Sequence, residues 1–136
     1  MIGVQRLSHA LSFVSDLERS LAFIATFSGW SPSMDSDKVF LRARGYQHHQ
    51  NLGLGAIGQT AAAEPATRST GLAHFASEAN TIEVIAEAKD ALSTVDAYLR
   101  AADHSHSKSI YGHDPDGNGF EITWTLLREQ WKSAAE

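Results

Sequence analysis

The sequence predicts an α+β protein built from two βαβββ modules that form one cupped mixed sheet. Three observations carry this. A pattern occurs twice: a strand-like run with a histidine at its centre, a capped helix, then further strands. The strand runs alternate with period two, whereas the stretch after Asn80 carries a helical stripe. Near the end, the turn cluster Asp114-Pro115-Asp116-Gly117-Asn118-Gly119 separates two strand-like runs. Proline presets one turn dihedral there, and Gly and Asn tolerate positive φ.

The chain has 136 residues, enough for one domain with a real core. Module 1 is expected over about 1–58, a linker over about 59–69, and module 2 over about 70–136. The formal charge of −5 argues against nucleic acid or an anionic membrane as partner. No apolar run is long enough to span a bilayer, and no signal peptide is evident. There are no cysteines, so disulfides, thiolate metal sites and cysteine nucleophiles are excluded. The reducing cytoplasm is the expected compartment. Seven histidines raise the expectation of a nitrogen and oxygen metal site.

In order, Leu7, His9, Leu11 and Phe13 alternate with Ser8, Ala10 and Ser12 as a half-buried strand. Ser15-Asp16-Leu17-Glu18 is a capping-box pattern that opens a helix to about Phe27. Trp30 to Asp37, with Pro32, reads as loop. Val39 to Ala43 is a strand, with Arg42 and Arg44 on the face of Phe40. Tyr46 to Ile57 is another, carrying the pair His48-His49. His48 shares its face with Leu52 and Leu54 and reads as a packing residue. Gln59 to Thr70 is linker-like.

The pattern then restarts. Leu72, His74 and Ala76 alternate with Ala73 and Phe75. Asn80 with Glu83 caps a helix whose stripe is Ile85, Ala88, Leu92, Val95 and Leu99. Asp103 to Lys108 is polar and holds His104 and His106. In the closing run, Phe120, Ile122 and Trp124 face one way, Glu121 and Thr123 the other. The tail from about Leu126 reads as a peripheral helix, and Trp30, Trp124 and Trp131 as core or interface aromatics.

His9 and His74 hold equivalent places in the repeat, and Glu121 is a carboxylate planted in an apolar strand. An unpaired buried charge is costly, so Glu121 needs a partner. Two modules side by side would bring His9, His74 and Glu121 together. Two imidazoles and one carboxylate make a facial triad with open coordination positions, a set that suits non-haem Fe(II).

These residues carry a resemblance. Leu7-Ser-His9, Ser15-Asp-Leu-Glu-Arg-Ser20, Gly71-Leu-Ala-His74-Phe and Asp114-Pro-Asp-Gly-Asn-Gly-Phe-Glu121 resemble the vicinal oxygen chelate superfamily. That group includes glyoxalases, fosfomycin and bleomycin resistance proteins, and extradiol ring-cleaving dioxygenases. The sequence looks most like the dioxygenases. The likeness implies His9, His74 and Glu121 as metal ligands, with Fe(II) favoured and Mn(II) or another divalent metal as alternatives. It implies His49, from the pair His48-His49, as the acid–base residue near oxygen. Tyr111, ten residues before Glu121, and His104, seven before Tyr111, would hydrogen-bond the substrate. His106 competes with His104 for that role, because Ser105 and His106 depart from the family's Asp-His-Gly-Val-Ser segment. His113, on the face of Tyr111, is a further substrate-binding candidate.

The implied reaction cleaves a catecholic or related vicinal diol with O2. Superfamily members often pair, so a homodimer is expected, and its ligands could be shared across chains. A glyoxalase-like lyase is the first alternative, but such enzymes take a fourth ligand from the last strand of the first module. Tyr46 to Gly58 contains no Asp or Glu. A transferase like the fosfomycin resistance proteins would share the three ligands and use cations such as Arg42 and Arg44. A metal-free binding protein like those of bleomycin resistance would need no triad. The pair Asp114 and Asp116 is expected to stabilise its turn, not to transfer protons.

Overall fold

The computed structural model describes residues 8–35, 38–43, 52–58 and 70–127. The chain divides into two compact units, Met1–Ala63 and Glu64–Glu136. Among the described residues each holds one helix and a four-stranded mixed sheet.

The first unit contains β1 (Ala10–Val14), α1 (Leu17–Ala25), β2 (Ser31–Asp35), β3 (Lys38–Arg42) and β4 (Leu52–Ala56). Its strand order is β1-β4-β3-β2, with β1 and β4 parallel and the other pairs antiparallel. The second contains β5 (Phe75–Glu78), α2 (Ile82–Thr94), β6 (Tyr98–Asp103), β7 (Ser107–His113) and β8 (Gly119–Thr125). Its order is β5-β8-β7-β6, again with only the β5/β8 pair parallel. The two units therefore share one topology, which is the βαβββ repeat expected from the sequence.

Both helices carry one apolar stripe, and α1 is also capped by a side chain. The carboxylate of Asp16 accepts a hydrogen bond from the Arg19 backbone N–H at 3.0 Å, so the cap is Asp16 and not Ser15. Ser20, Phe23 and Ile24 are the buried face of α1, and α1 packs on β4. In the second unit the N-cap is Thr81, one residue past Asn80. Ile85, Ala88 and Leu92 are buried from α2, which packs across β6, β7 and β8. Ile110, Phe120 and Ile122 are the buried hydrophobic residues of β7 and β8. Removing such side chains leaves a cavity, so Leu92→Ala would cost about 2–5 kcal/mol.

Three expectations need correction. Ser31–Asp35 is a strand, not a loop. Pro32 is tolerated because β2 is an edge strand, where a missing N–H costs no ladder bond. The α2 stripe stops early: Val95 and Leu99 are exposed, and the chain turns through Asp96 at φ 56° into β6. The apolar face of β1 is also not buried, since Leu11 and Phe13 are exposed. Val14 is the buried residue there.

Most of the expected linker, together with Arg44, the pair His48-His49 and Trp131, lies outside the described residues. Among the described residues no helix is long and apolar enough to cross a membrane.

Candidate metal centre

The second sheet has one face turned to its helix and one that carries polar groups. Alternation along β8 sends Phe120 and Ile122 to the helix and Glu121 and Thr123 to the other side. Thr123 is held by a hydroxyl–hydroxyl hydrogen bond with Ser109 of β7 at 2.8 Å. The register then sets one row across the sheet: Arg100 on β6, Tyr111 on β7, Glu121 on β8 and Ala76 on β5.

His74 stands immediately before β5. Its Nε2 lies 3.0 Å from Glu121 Oε2. The Glu121 side chain is 13% exposed and that of His74 39%. A carboxylate this far from water needs a partner, and His74 is that partner. The His74 ring also meets the Tyr111 ring edge-on, with centroids 5.4 Å apart. On the other side of Tyr111, the Arg100 guanidinium carbon sits 3.7 Å from the ring centroid.

The hairpin turn sets this geometry. Asp114 Oδ1 accepts hydrogen bonds from the backbone N–H of Asp116 and of Asn118, at 2.9 and 2.8 Å. Its Oδ2 accepts from Asn118 Nδ2 at 2.9 Å. Gly117 takes φ 82°, which glycine adopts at little cost. The carboxylate of Asp114 is therefore a turn clamp, as expected. Gly119 follows, and there a Cβ would lie 2.5 Å from the Ala73 carbonyl oxygen and 3.5 Å from His74 Cβ. Only a bare backbone lets the segment bearing His74 come this close to β8.

The first unit repeats this arrangement with different chemistry. Its corresponding row is Ser33, Phe40, Gly53 and Leu11. His9 stands immediately before β1 and meets Phe40 edge-on, with centroids 6.3 Å apart. Phe40 thus matches Tyr111, and Gly53 matches Glu121. A Cβ on Gly53 would meet Leu11 Cδ1 at 2.8 Å and the Phe40 ring at 2.9 Å. The carboxylate position of the first module is not just vacated but closed by neighbouring side chains.

The structure brings His74, Glu121 and Tyr111 together. His113 is exposed at the end of β7, opposite Gly119 and two residues from Tyr111. His104 lies in the β6–β7 turn, where its N–H bonds the Ser107 carbonyl at 2.9 Å. Ser107 is four strand positions from Tyr111, about 13 Å of rise. His104 and His106 are exposed at that distant turn. Arg100 was not anticipated from sequence: the register shifts between Tyr98 and Arg100, so the two pair with successive residues of β7, Gly112 and Tyr111, and counting by twos from Tyr98 misplaces Arg100.

A nitrogen donor and a carboxylate oxygen aimed at one another suit a divalent cation. Among the described residues no group of three His, Asp or Glu is gathered, and in the second unit the candidate pair brought together is His74 and Glu121.

Two βαβββ modules with this strand order define the vicinal oxygen chelate fold. Solved structures of similar fold include a glyoxylase/bleomycin resistance protein/dioxygenase domain from Frankia sp. EAN1pec. That match has a TM-score of 0.75 and 14% identity, over 96% of this chain and 99% of the other. A second is the fosfomycin resistance protein FosX from Listeria monocytogenes complexed with Mn(II) and sulfate, at TM-score 0.71 and 19% identity, over 96% and 98%. A third is lactoylglutathione lyase from Agrobacterium tumefaciens, at TM-score 0.64 and 21% identity, over 89% and 94%. No protein-family model matches the chain, and no curated protein does.

Proposed function

We propose that this chain is a divalent-metal enzyme whose substrate offers two neighbouring oxygens. The observation that carries it is the 3.0 Å approach of His74 Nε2 to Glu121 Oε2, with Tyr111 against the same histidine. His9 is the third donor in this reading, on its equivalence with His74 in the repeat. A bound Fe(II) or Mn(II) would orient the substrate oxygens and stabilise negative charge on them. Glu121, on β8, and His74, immediately before its parallel neighbour β5, would hold such an ion. Tyr111, whose ring meets His74, would offer its phenol to hydrogen-bond a substrate oxygen.

Among reactions of this kind, ring cleavage of a catecholic diol with O2 is our preferred reading. Tyr111 supports it from within the site. His49 is its acid–base residue on the sequence pattern. His113, on the face of Tyr111, is its second substrate contact, and a homodimer its working form. His104, at the distant turn, has no support from geometry. Glyoxalase-type chemistry is disfavoured, because the position matching Glu121 in the first module is Gly53 and is closed by Leu11 and Phe40. The reading like the fosfomycin resistance proteins uses the same three ligands, and the resemblance to a Mn(II)-bound structure supports it.

One experiment separates the two. Protein purified without oxygen and loaded with Fe(II) is given a catechol panel, and a Mn(II)-loaded sample is given fosfomycin. Oxygen uptake with a yellow ring-opened product, lost in His49→Ala with metal retained, supports ring cleavage. Fosfomycin consumption without oxygen uptake replaces that reading with the other.

A further inference from the structure

The second unit has three cations among its described residues, and two are occupied away from the site. Lys108 pairs with Asp103, and Lys89 lies over the Tyr98 ring. Arg100 alone stands in the row of Tyr111 and Glu121. Its guanidinium carbon lies over the Tyr111 ring, 3.7 Å from the centroid. Among the described residues no carboxylate pairs with it.

We propose that Arg100 is the anion-recognition residue of this site, and that its substrate carries a carboxylate or phosphonate besides its paired oxygens. The assignment rests on reading His74, Glu121 and Tyr111 as a site. The contact with the ring leaves the guanidinium its N–H donors, which can match an oxyanion in bidentate fashion. It also holds the side chain against the sheet before any ligand arrives, which lowers the side-chain entropy lost on binding. The charge also has a use. Glu121 places a negative group on the same sheet face, and in a chain of net charge −5 an anionic substrate needs a fixed cation to offset repulsion. A purely structural cross-strand pair of this kind would leave ligand choice untouched.

The test uses the full chain without metal, with its arginine side-chain N–H groups followed by NMR. Methylphosphonate, benzoate and neutral benzamide are titrated into wild type, Arg100→Gln and Arg100→Lys. The expected result is a saturable shift of the Arg100 and Tyr111 signals with an anion and none with benzamide. Arg100→Gln should weaken anion binding by about tenfold or more, the scale of a charge-assisted contact, and Arg100→Lys by less. Whichever anion binds tighter identifies the group. Equal shifts from benzamide, or wild-type anion affinity in Arg100→Gln, would overturn the proposal. Mn(II) affinity is measured on the same proteins. Loss of anion binding with Mn(II) affinity unchanged supports it, and loss of both in Arg100→Gln overturns it, since that marks a structural role. Wild type that binds the anion but no Mn(II) sinks the metal reading and leaves Arg100 standing.

Discussion

Phe40 and Tyr111 occupy the same place in the two modules: each pairs with the last strand of its own sheet and each receives a histidine ring edge-on. The difference between them is one hydroxyl, and the residues they pair with differ more. Tyr111 pairs with Glu121, whereas Phe40 pairs with Gly53. The repeat thus built one frame twice, and the second copy carries the carboxylate and the phenol.

Tyr111→Phe makes the second module imitate the first. The ring that meets His74 and carries Arg100 is kept, and only the hydroxyl goes. Thermal stability and Mn(II) affinity should stay close to wild type. Turnover of whichever substrate proves active should fall by about ten- to a hundredfold, the effect of losing one positioned proton donor. Steady-state kinetics beside a melting curve checks this, and unchanged turnover would remove Tyr111 from the chemistry.

Gly119→Ala tests how the turn positions the metal ligand. The new methyl has to displace the Ala73 backbone, which a Cβ would approach to 2.5 Å. That moves His74 away from Glu121. We expect a loss of about 1–3 kcal/mol in denaturant unfolding, with Mn(II) affinity falling as well. Wild-type values for both would show that the close approach has no part in holding the site.

The β6–β7 turn gives a pH prediction. The Asp103 carboxyl is held below its ordinary value, first by the hydrogen bond from Lys108 and then by the Ser105 backbone N–H. A depressed folded-state value stabilises the fold above the unfolded value, and that share is lost as pH falls through the folded one. Asp103→Asn should therefore be less stable than wild type near neutral pH, and the two should converge in acid. The group is fully exposed, so the gap is small. Denaturant midpoints across the acid range measure it; a gap that widens in acid contradicts the assignment.

The features legible from sequence were those written in local chemistry. The alternation that turns Glu121 from the helix needed only period two, and the Asp114 clamp followed from turn residues. The repeat gave the βαβββ plan, although β2 was read as loop and the start of β6 as helix. What escaped depended on tertiary context. Pro32 looked like a loop because nothing local says that β2 is an edge. Val95 and Leu99 continued the helical stripe by spacing alone, although a turn at Asp96 had ended the helix. Arg100 was invisible because its importance lies in a cross-strand register, which periodicity does not set. His104 looked close to Tyr111 in sequence, but a hairpin turn set them at different ends of β7.

The central claim is that His74 and Glu121 are ligands to a divalent ion. Calorimetric titration of Mn(II) into metal-free wild type, His9→Ala, His74→Ala and Glu121→Gln tests it most directly. The account predicts about one ion per chain in wild type and affinity at least about tenfold weaker in each variant, with folding intact by circular dichroism. Wild type that takes up no divalent ion, or variants at His74 and Glu121 that bind it as wild type does, would contradict it.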